Sequence, residues 1–376
     1  MRVVHLCTNF FPGTGGIETF VLSLARHSLR VGISAAVVCF NRAKGVPGVL
    51  RDRDVVEGIS VRRIPFVDLK YYQPAVVPLS PLRQADVVHV HGIGALLDFA
   101  VIARPLHRRP VVLSTHGGIF HTTRLAAIKR IYFHRWHRMV QRGVDVTVAC
   151  SASDAALFAP VARRMVLIEN GVDLGACAAS AAACRDRSLL ICAGRLTAHK
   201  RVDNVIRTFA QLVRRGHDVR LEIAGADADG LWPQLLALAA REGVAGRVRY
   251  VGPLDDGAFR ALLGRATVLL SASEYEGFGL TVVEAMAAGC VPVVNDIPPF
   301  RAIVEDGRSG AIVDFSLPDR AAARIESIIR GDAGAMSAAA RARAEEFSWE
   351  KKILQWKELY ATVAAGRATQ TPATGG

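Results

Sequence analysis

The sequence predicts two doubly wound α/β domains, each a parallel sheet with helices on both faces, facing one another across a cleft. Strand-like apolar runs alternate with helical runs through the whole chain, the pattern that parallel strands joined by crossover helices impose. The alternation pauses near Asn170-Gly171-Val172-Asp173 and the alanine-rich stretch Ala176–Arg187, then restarts. A length of 376 residues is more than one core holds comfortably and suits two. Ligands of such sheets bind outside the carboxyl ends of the strands.

In the first domain, residues 1–175, strands are expected at Val3–Cys7, Ala35–Phe40, Ile59–Ile64, Asp86–His91, Pro110–Ser114, Asp145–Cys150 and Val166–Ile168. Helices are expected at Ile17–Leu29, Ala95–Arg104, Leu125–Arg142 and Ser151–Phe158. In the second, residues 186–348, strands fall at Leu189–Ala193, Val219–Ala224, Val248–Val251, Val268–Ser271 and Val291–Val294. Helices there cover Val202–Arg214 and start at Leu231. The tail from Ala338 to Ala364 reads as helix, anchored by Trp349 and Trp356. Residues 349–366 are expected to pack back towards the first domain, and the last ten residues to fray.

Composition excludes several classes. Hydrophobic residues make up 51% of the chain, which is a packed globular composition rather than a disordered one. No run approaches ~18 uninterrupted apolar residues, and Met1–Cys7 is only a strand's length before Asn9 and Pro12, so neither a membrane span nor a signal peptide is expected. Seven cysteines without a C-x-x-C pair read as buried free thiols of a reducing cytoplasm, not as a zinc site. The net charge of +13 favours anionic partners. No nucleic-acid motif accompanies it, which leaves a membrane surface and phosphate ligands.

Five constellations carry chemistry. The most informative is Glu276-Gly277-Phe278-Gly279-Leu280-Thr281-Val282-Val283-Glu284. A continuous helix would set the two carboxylates ~80° apart at two turns' distance, but the glycines mark a loop. A helix starting near Leu280 leaves Glu276 in that loop and Glu284 about one turn in, both near a helix N-terminus that favours an anion. Two hydroxyl-binding carboxylates beside a phosphate cradle suit a sugar nucleotide. Gly13-Thr14-Gly15-Gly16-Ile17-Glu18 follows the first strand and can bring backbone N–H groups to a pyrophosphate or sugar; it also reads as an ordinary strand-to-helix turn. Ser114-Thr115-His116-Gly117-Gly118 sets a histidine at a strand's carboxyl end, facing a ligand or lying on the polar surface. Gly194-Arg195-Leu196-Thr197-Ala198-His199-Lys200 offers Arg195 as a planar fork and Lys200 as a point charge for a diphosphate, or two solvated cations. Arg124–Arg142 sets basic residues including Lys129, Arg130, Arg135 and Arg138 beside apolar ones including Trp136. Such a helix lies on an anionic bilayer or packs its apolar face on the sheet. Asp227-Ala228-Asp229 matches a D-x-D metal motif by letters but follows a strand end and reads as a polar loop. With no other clustered oxygen or imidazole ligands expected, no metal is expected.

Together these residues resemble the retaining glycosyltransferases of the two-domain GT-B class that carry the E-x7-E motif. The likeness spans nearly the whole chain through Gly15-Gly16-Ile17-Glu18, Ser114–Gly118, Glu169-Asn170-Gly171-Val172-Asp173, Gly194-Arg195 with Lys200, and Glu276 to Glu284. Within that class His89-Val90-His91-Gly92, Phe120-His121-Thr122 and Asp296-Ile297-Pro298-Pro299-Phe300 are similar to bacterial enzymes that move mannose from GDP-mannose onto cellobiosyl-diphosphoprenol in exopolysaccharide assembly. The resemblance implies a GT-B fold, an acceptor-side first domain and a nucleotide-sugar-binding second domain. It implies that Glu276 touches the donor sugar and stabilises positive charge at its anomeric carbon, and that Glu284 holds the ribose hydroxyls. Arg195 and Lys200 would bind the diphosphate and the Gly15-Gly16 loop would cover it. His116 would lie beside the reacting sugar, and Ser151 would line the donor or acceptor cleft. Gly277, Phe278 and Gly279 join the donor-binding set. One departure is His199-Lys200-Arg201 where relatives commonly have Asn-Lys-Gly, which keeps the cation and reduces backbone freedom.

The implied reaction is transfer with retention, through an oxocarbenium-like state, with the leaving diphosphate taking the acceptor proton. No cofactor is implied beyond the nucleotide sugar as substrate, and no metal. A polyprenol-diphosphate-linked acceptor would suit the net charge and the basic segment, with peripheral contact at the inner face of the cell membrane. A UDP-sugar donor, a soluble acceptor, a sugar-nucleotide epimerase and a non-catalytic sugar-nucleotide-binding assembly partner stay open. Base, sugar, linkage and oligomeric state carry no readable code.

Overall fold

The computed structural model describes residues 1–13, 15–43, 46–69, 72–117, 131–175, 177, 185–227, 229–331 and 333–366. Thr14, Gly118, Phe120-His121-Thr122, Arg124, Lys129, Arg130, Cys184, Ala228, most of the 176–187 stretch and the last ten residues lie outside the described residues.

The chain divides into two compact units, Met1–Gly171 together with the segment from Trp349, and Val172–Ser348. The first is built on eight strands: β1 Arg2–Leu6, β2 Ser34–Phe40, β3 Arg53–Val56, β4 Ile59–Ile64, β5 Val87–His91, β6 Val111–Ser114, β7 Val146–Ala149 and β8 Met165–Leu167. Their order is β3-β4-β2-β1-β5-β6-β7-β8. Val3, Val4, Leu6, Val87, Val88 and Val90 are all fully buried, because both faces of a parallel sheet are covered and its central strands are therefore apolar throughout. One strand departs from the expected all-parallel sheet. β3 runs antiparallel to β4, through a two-residue turn in which Glu57 and Gly58 have φ of 47° and 81°, the geometry that matches a hairpin to strand twist.

The second unit holds β9 Asp186–Ala193, β10 Arg220–Ala224, β11 Val248–Gly252, β12 Ala266–Ser271, β13 Val291–Asn295 and β14 Ala311–Val313. They form a parallel sheet ordered β11-β10-β9-β12-β13-β14. In both sheets the order reverses direction once near the centre, beside β1 and β5 in the first and beside β9 and β12 in the second. Crevices at such reversals are where doubly wound sheets bind ligands.

The tail is not one helix. Ala333–Ala344 ends in a 3-10 turn at Glu345–Phe347, and a separate helix runs Trp349–Ala364. The break has a physical cause: the chain leaves the second unit here, and Phe347 accepts a backbone hydrogen bond from Val172 at 2.8 Å, beside the earlier crossing. Trp349, Trp356 and Tyr360 of the last helix are buried in the core of the first unit, with Phe20 against both tryptophans. The six described cysteines are free and buried. Among the described residues no helix is long and apolar enough to cross a membrane.

Candidate active site

In the second unit β9 runs into Gly194, and the loop that follows is held by the neighbouring strand end. Gly194 N–H donates to Ala224 O at 2.9 Å and Leu196 N–H to Ala226 O at 2.8 Å. Gly225, at φ 135°, packs on the Gly194 carbonyl so closely that a Cβ would collide with it; only glycine fits both the angle and the approach. The loop then tightens into a 3-10 turn at Ala198–Lys200 and enters the helix Val202–Arg214 through Arg201.

This path delivers Lys200 to Glu276. The Lys200 Nζ lies 2.5 Å from Glu276 Oε1, with side-chain exposures of 22% and 16%, so the pair is partly screened yet open to a ligand. Glu274 N–H donates to His199 O at 2.9 Å and ties the two loops together. Arg195 is exposed and has no ion-pair partner among the described residues. The lysine, Arg195, Ser271 and Ser273 line one small pocket at the reversal between β9 and β12.

Arg201 stands where the sequence resemblance implies a glycine. It adopts the left-handed conformation at φ 47° and is held there by ion pairs to Asp203, at 3.1 Å, and to Glu274. The loop geometry is therefore kept at the expense of backbone strain.

The helix after Glu276 begins at Leu280 and ends at Ala287, with Gly279 as N-cap at φ 114°. A Cβ on Gly279 would stand 3.0 Å from Phe300 and 3.2 Å from Ile303. Phe278 lies between the two glycines. Its ring is buried and meets Phe347 edge-on at 5.7 Å, so its side chain anchors the loop in the core and leaves only the backbone to face a ligand. Glu284 lies on the first turns of the helix, and burial, with Asp256 adding to it and Arg260 opposing, raises its pKa from 4.5 to about 7.

The D-x-D carboxylates serve the backbone. Asp227 accepts from Leu231 N–H and Trp232 N–H at 2.7 and 3.0 Å, where the helix Trp232–Arg241 begins, and Asp229 accepts from Ala198 N–H at 3.3 Å.

In the first unit Gly15 is the extended N-cap of the helix Gly16–Arg30, and both glycines are exposed. Nothing lies within 4 Å of a Cβ built on Gly16. Ser151 is buried and its hydroxyl accepts from Asp154 N–H at 3.2 Å, capping the helix Ala152–Phe158. Asp154 in turn accepts from the Thr115 hydroxyl and from Cys150 N–H. The network fixes the segment before His116, which is left-handed at φ 50°.

Here the expectation of no clustered imidazoles is corrected. Parallel pairing sets His5 of β1 opposite His89 of β5, and His91 lies two residues on, so all three rings share one sheet face. Their ligand nitrogens lie within 4.8 Å of one another. His5 Nδ1 is 3.0 Å from His91 Nε2, and His91 Nδ1 is 3.1 Å from His116 Nε2. His89 is occupied separately, by the Tyr360 hydroxyl at 2.7 Å and the Ser114 hydroxyl at 2.8 Å. Burial lowers the pKa of His5 to about 3 and of His116 to about 4, and holds His89 and His91 well below the ordinary value. A cation would have to displace these hydrogen bonds, and the histidines' charged neighbours are one another. The H-x-H at the end of β5 was visible in the sequence. Its alignment with His5, some eighty residues away, needed the sheet order.

The described part of the basic segment is a π-helix at Tyr132–His137, a short α-turn at Arg138–Val140 and a 3-10 turn at Gln141–Gly143. Phe133, His137 and Val140 point inward. Ile131, Trp136 and Met139 stay exposed alongside Arg135 and Arg138, so apolar and basic groups share the outer face. Trp136 is pinned by its Nε1–H to Asp98 Oδ2 at 2.8 Å.

Comparison with known proteins shows the family of the chain. Residues 14–176 match the model described as Glycosyltransferase Family 4, and residues 180–347 match Glycosyl transferases group 1. A protein of Komagataeibacter xylinus named GDP-mannose:cellobiosyl-diphosphopolyprenol alpha-mannosyltransferase is 35% identical over 98% of this chain and 94% of its own. One of the same name from Xanthomonas oryzae pv. oryzae is 32% identical over 96% of each chain. Among solved structures, Anabaena HepE in complex with UDP and glucose superposes with a TM-score of 0.75 at 18% identity, over 96% of this chain and all of that one. That structural likeness shows the fold, the GT-B arrangement of two Rossmann-like sheets.

Proposed function

This chain belongs to the glycosyltransferase family of the GDP-mannose:cellobiosyl-diphosphopolyprenol alpha-mannosyltransferases, and we propose that it moves mannose from GDP-mannose, with retention, onto a polyprenol-diphosphate-linked oligosaccharide. The observation that carries the site is the Lys200–Glu276 pair at the reversal of the second sheet. A diphosphate entering there meets Lys200 and the unpartnered Arg195. It draws the lysine from Glu276 and frees the carboxylate for the sugar. Glu276 then opposes the positive charge that develops at the anomeric carbon as the bond to the diphosphate breaks. The acceptor hydroxyl attacks from the face the diphosphate leaves, and its proton passes to a diphosphate oxygen. Glu284 accepts the ribose hydroxyls, and His116 of the first unit meets the reacting sugar. Lysine, arginine and backbone amides neutralise the leaving group, so the reaction needs neither a metal nor a cofactor.

The net charge of +13 and the outer face of the basic segment support peripheral contact with an anionic inner membrane, where such an acceptor resides. Arg135, Arg138 and Trp136 are its described members; Lys129 and Arg130 complete it in sequence. Nucleic acid is no partner in this reading.

The test is transfer with GDP-mannose, UDP-glucose and other donors, with EDTA, with and without a cellobiosyl-diphospholipid. The expected result is transfer from GDP-mannose to the lipid, undiminished by EDTA and lost by about 100-fold or more in Glu276→Ala. Transfer from a UDP-sugar alone would refute the donor. An unaffected Glu276→Ala rate would refute the assignment of that residue, and no turnover with any donor would favour a binding protein.

A further inference from the structure

The chain of rings from His5 through His91 to His116 restricts how its protons are distributed. Each nitrogen–nitrogen contact, at 3.0 and 3.1 Å, needs one N–H and one bare nitrogen. Burial keeps all three rings neutral at neutral pH, so each carries one proton. Only two arrangements satisfy both contacts. In one, every ring is protonated on Nε2, which leaves the N–H of His5 Nε2 pointing into the core. In the other, every ring is protonated on Nδ1. His5 Nε2 is buried without a hydrogen-bond partner. A buried orphan N–H is the rarer and costlier defect, while a bare acceptor is better tolerated. Phe20, edge-on to His116 at 4.9 Å, fixes the plane of the last ring, and His116 Nδ1 has no hydrogen-bond partner among the described residues.

We propose that His5 and His91 are positioning residues that hold His116 in the tautomer protonated on Nδ1, so that it presents a neutral N–H donor to an oxygen of the bound sugar nucleotide. The use of that donor rests on the placement of His116 at the sugar given above; the direction of the chain does not. His116 therefore binds and orients rather than removing a proton, in keeping with a diphosphate oxygen as the proton acceptor. His5 does this from the core, two rings away from any substrate.

The experiment is long-range proton–nitrogen correlation on protein labelled with nitrogen-15 histidine, with His116 identified by its loss in His116→Ala. The expected wild-type spectrum shows His116 protonated on Nδ1 and bare on Nε2. Protonation on Nε2 would overturn the proposal without any variant. His5→Asp, examined up to a pH at which its buried carboxyl is ionised, replaces the end of the chain with an acceptor, so His91 should donate to it and His116 should become protonated on Nε2. An unchanged His116 spectrum in folded His5→Asp would overturn the coupling. With the tautomer reversed, transfer from GDP-mannose should fall about tenfold, the loss of one hydrogen bond. Undiminished transfer despite reversal would overturn the donor role of His116. Absence of transfer in the wild type would count against the proposed function, while the spectrum would still read the chain.

Discussion

Glu284 offers the sharpest test of the second unit's electrostatics. Burial and Asp256 raise its pKa from 4.5 to about 7, against the opposing pull of Arg260. The folded state therefore holds a proton that the unfolded chain has released between those two values. Stability is fully present below pH 4.5 and is lost progressively as pH rises to about 7. At about 1.4 kcal/mol for each tenfold change in the proton equilibrium, the loss is about 3 kcal/mol. Glu284→Gln keeps the shape and removes the ionisation. Amide exchange in the helix Leu280–Ala287, measured where it reports the opening equilibrium, reads the difference directly. Wild type and variant should exchange within a few-fold of each other at pH 5. By pH 8 the variant should exchange roughly 100-fold more slowly. Intrinsic exchange rates cancel in the ratio. A ratio that does not change with pH would refute the desolvation of Glu284, and a ratio that grows towards low pH would mean that Arg260 dominates. The same shift bears on binding: if Glu284 accepts the ribose hydroxyls as a carboxylate, donor binding should release a proton below pH 7.

Arg201 stands in the left-handed region that costs a non-glycine residue about 1–2 kcal/mol. Since Arg201→Ala and Arg201→Gly both lose its ion pairs, their difference isolates the strain: the glycine variant should be about 1 kcal/mol the more stable in urea unfolding, and equal midpoints would show that the strain is absent. Tyr360→Phe keeps the ring and removes the hydroxyl partner of His89 Nδ1. It should destabilise the first unit by about 1–3 kcal/mol, the cost of a buried unpaired polar atom, and an unchanged unfolding curve would mean that His89 finds another partner.

The sheets were readable because their strands are buried on both faces and so appear as apolar runs between helices. β3 escaped notice because Arg53 and Asp54 make it polar and Val55 faces solvent at 66% exposure, so no buried alternation marks it. β14 spans only Ala311–Val313, too short for periodicity to declare itself. The tail read as one helix because alanine-rich helix and amphipathic helix both suit a 3.6-residue period; what separates them at Ser348 is a contact to Val172, far back in the chain. Lys200 and Glu276 could be named from local glycine-flanked loops, whereas their contact depends on the adjacency of β9 and β12. The inward turn of the Phe278 ring was not legible, because the sequence cannot say which way a ring between two glycines points. The imidazole chain was hidden for the opposite reason: each histidine looks like an ordinary strand residue, and only the register joins them.

The last helix sets a timing problem for biogenesis. The ribosome makes most strands of the first sheet well before Trp349, Trp356 and Tyr360, which cover that sheet. The whole of Val172–Ser348 is translated in between. At about 5–20 residues per second that interval lasts roughly 10–35 s. Throughout it the nascent chain carries His5, His89 and His91 on a sheet face, and Phe20 on the helix beside it, all still waiting for their cover, so the unit whose strands are made first is completed only after the other has been synthesised.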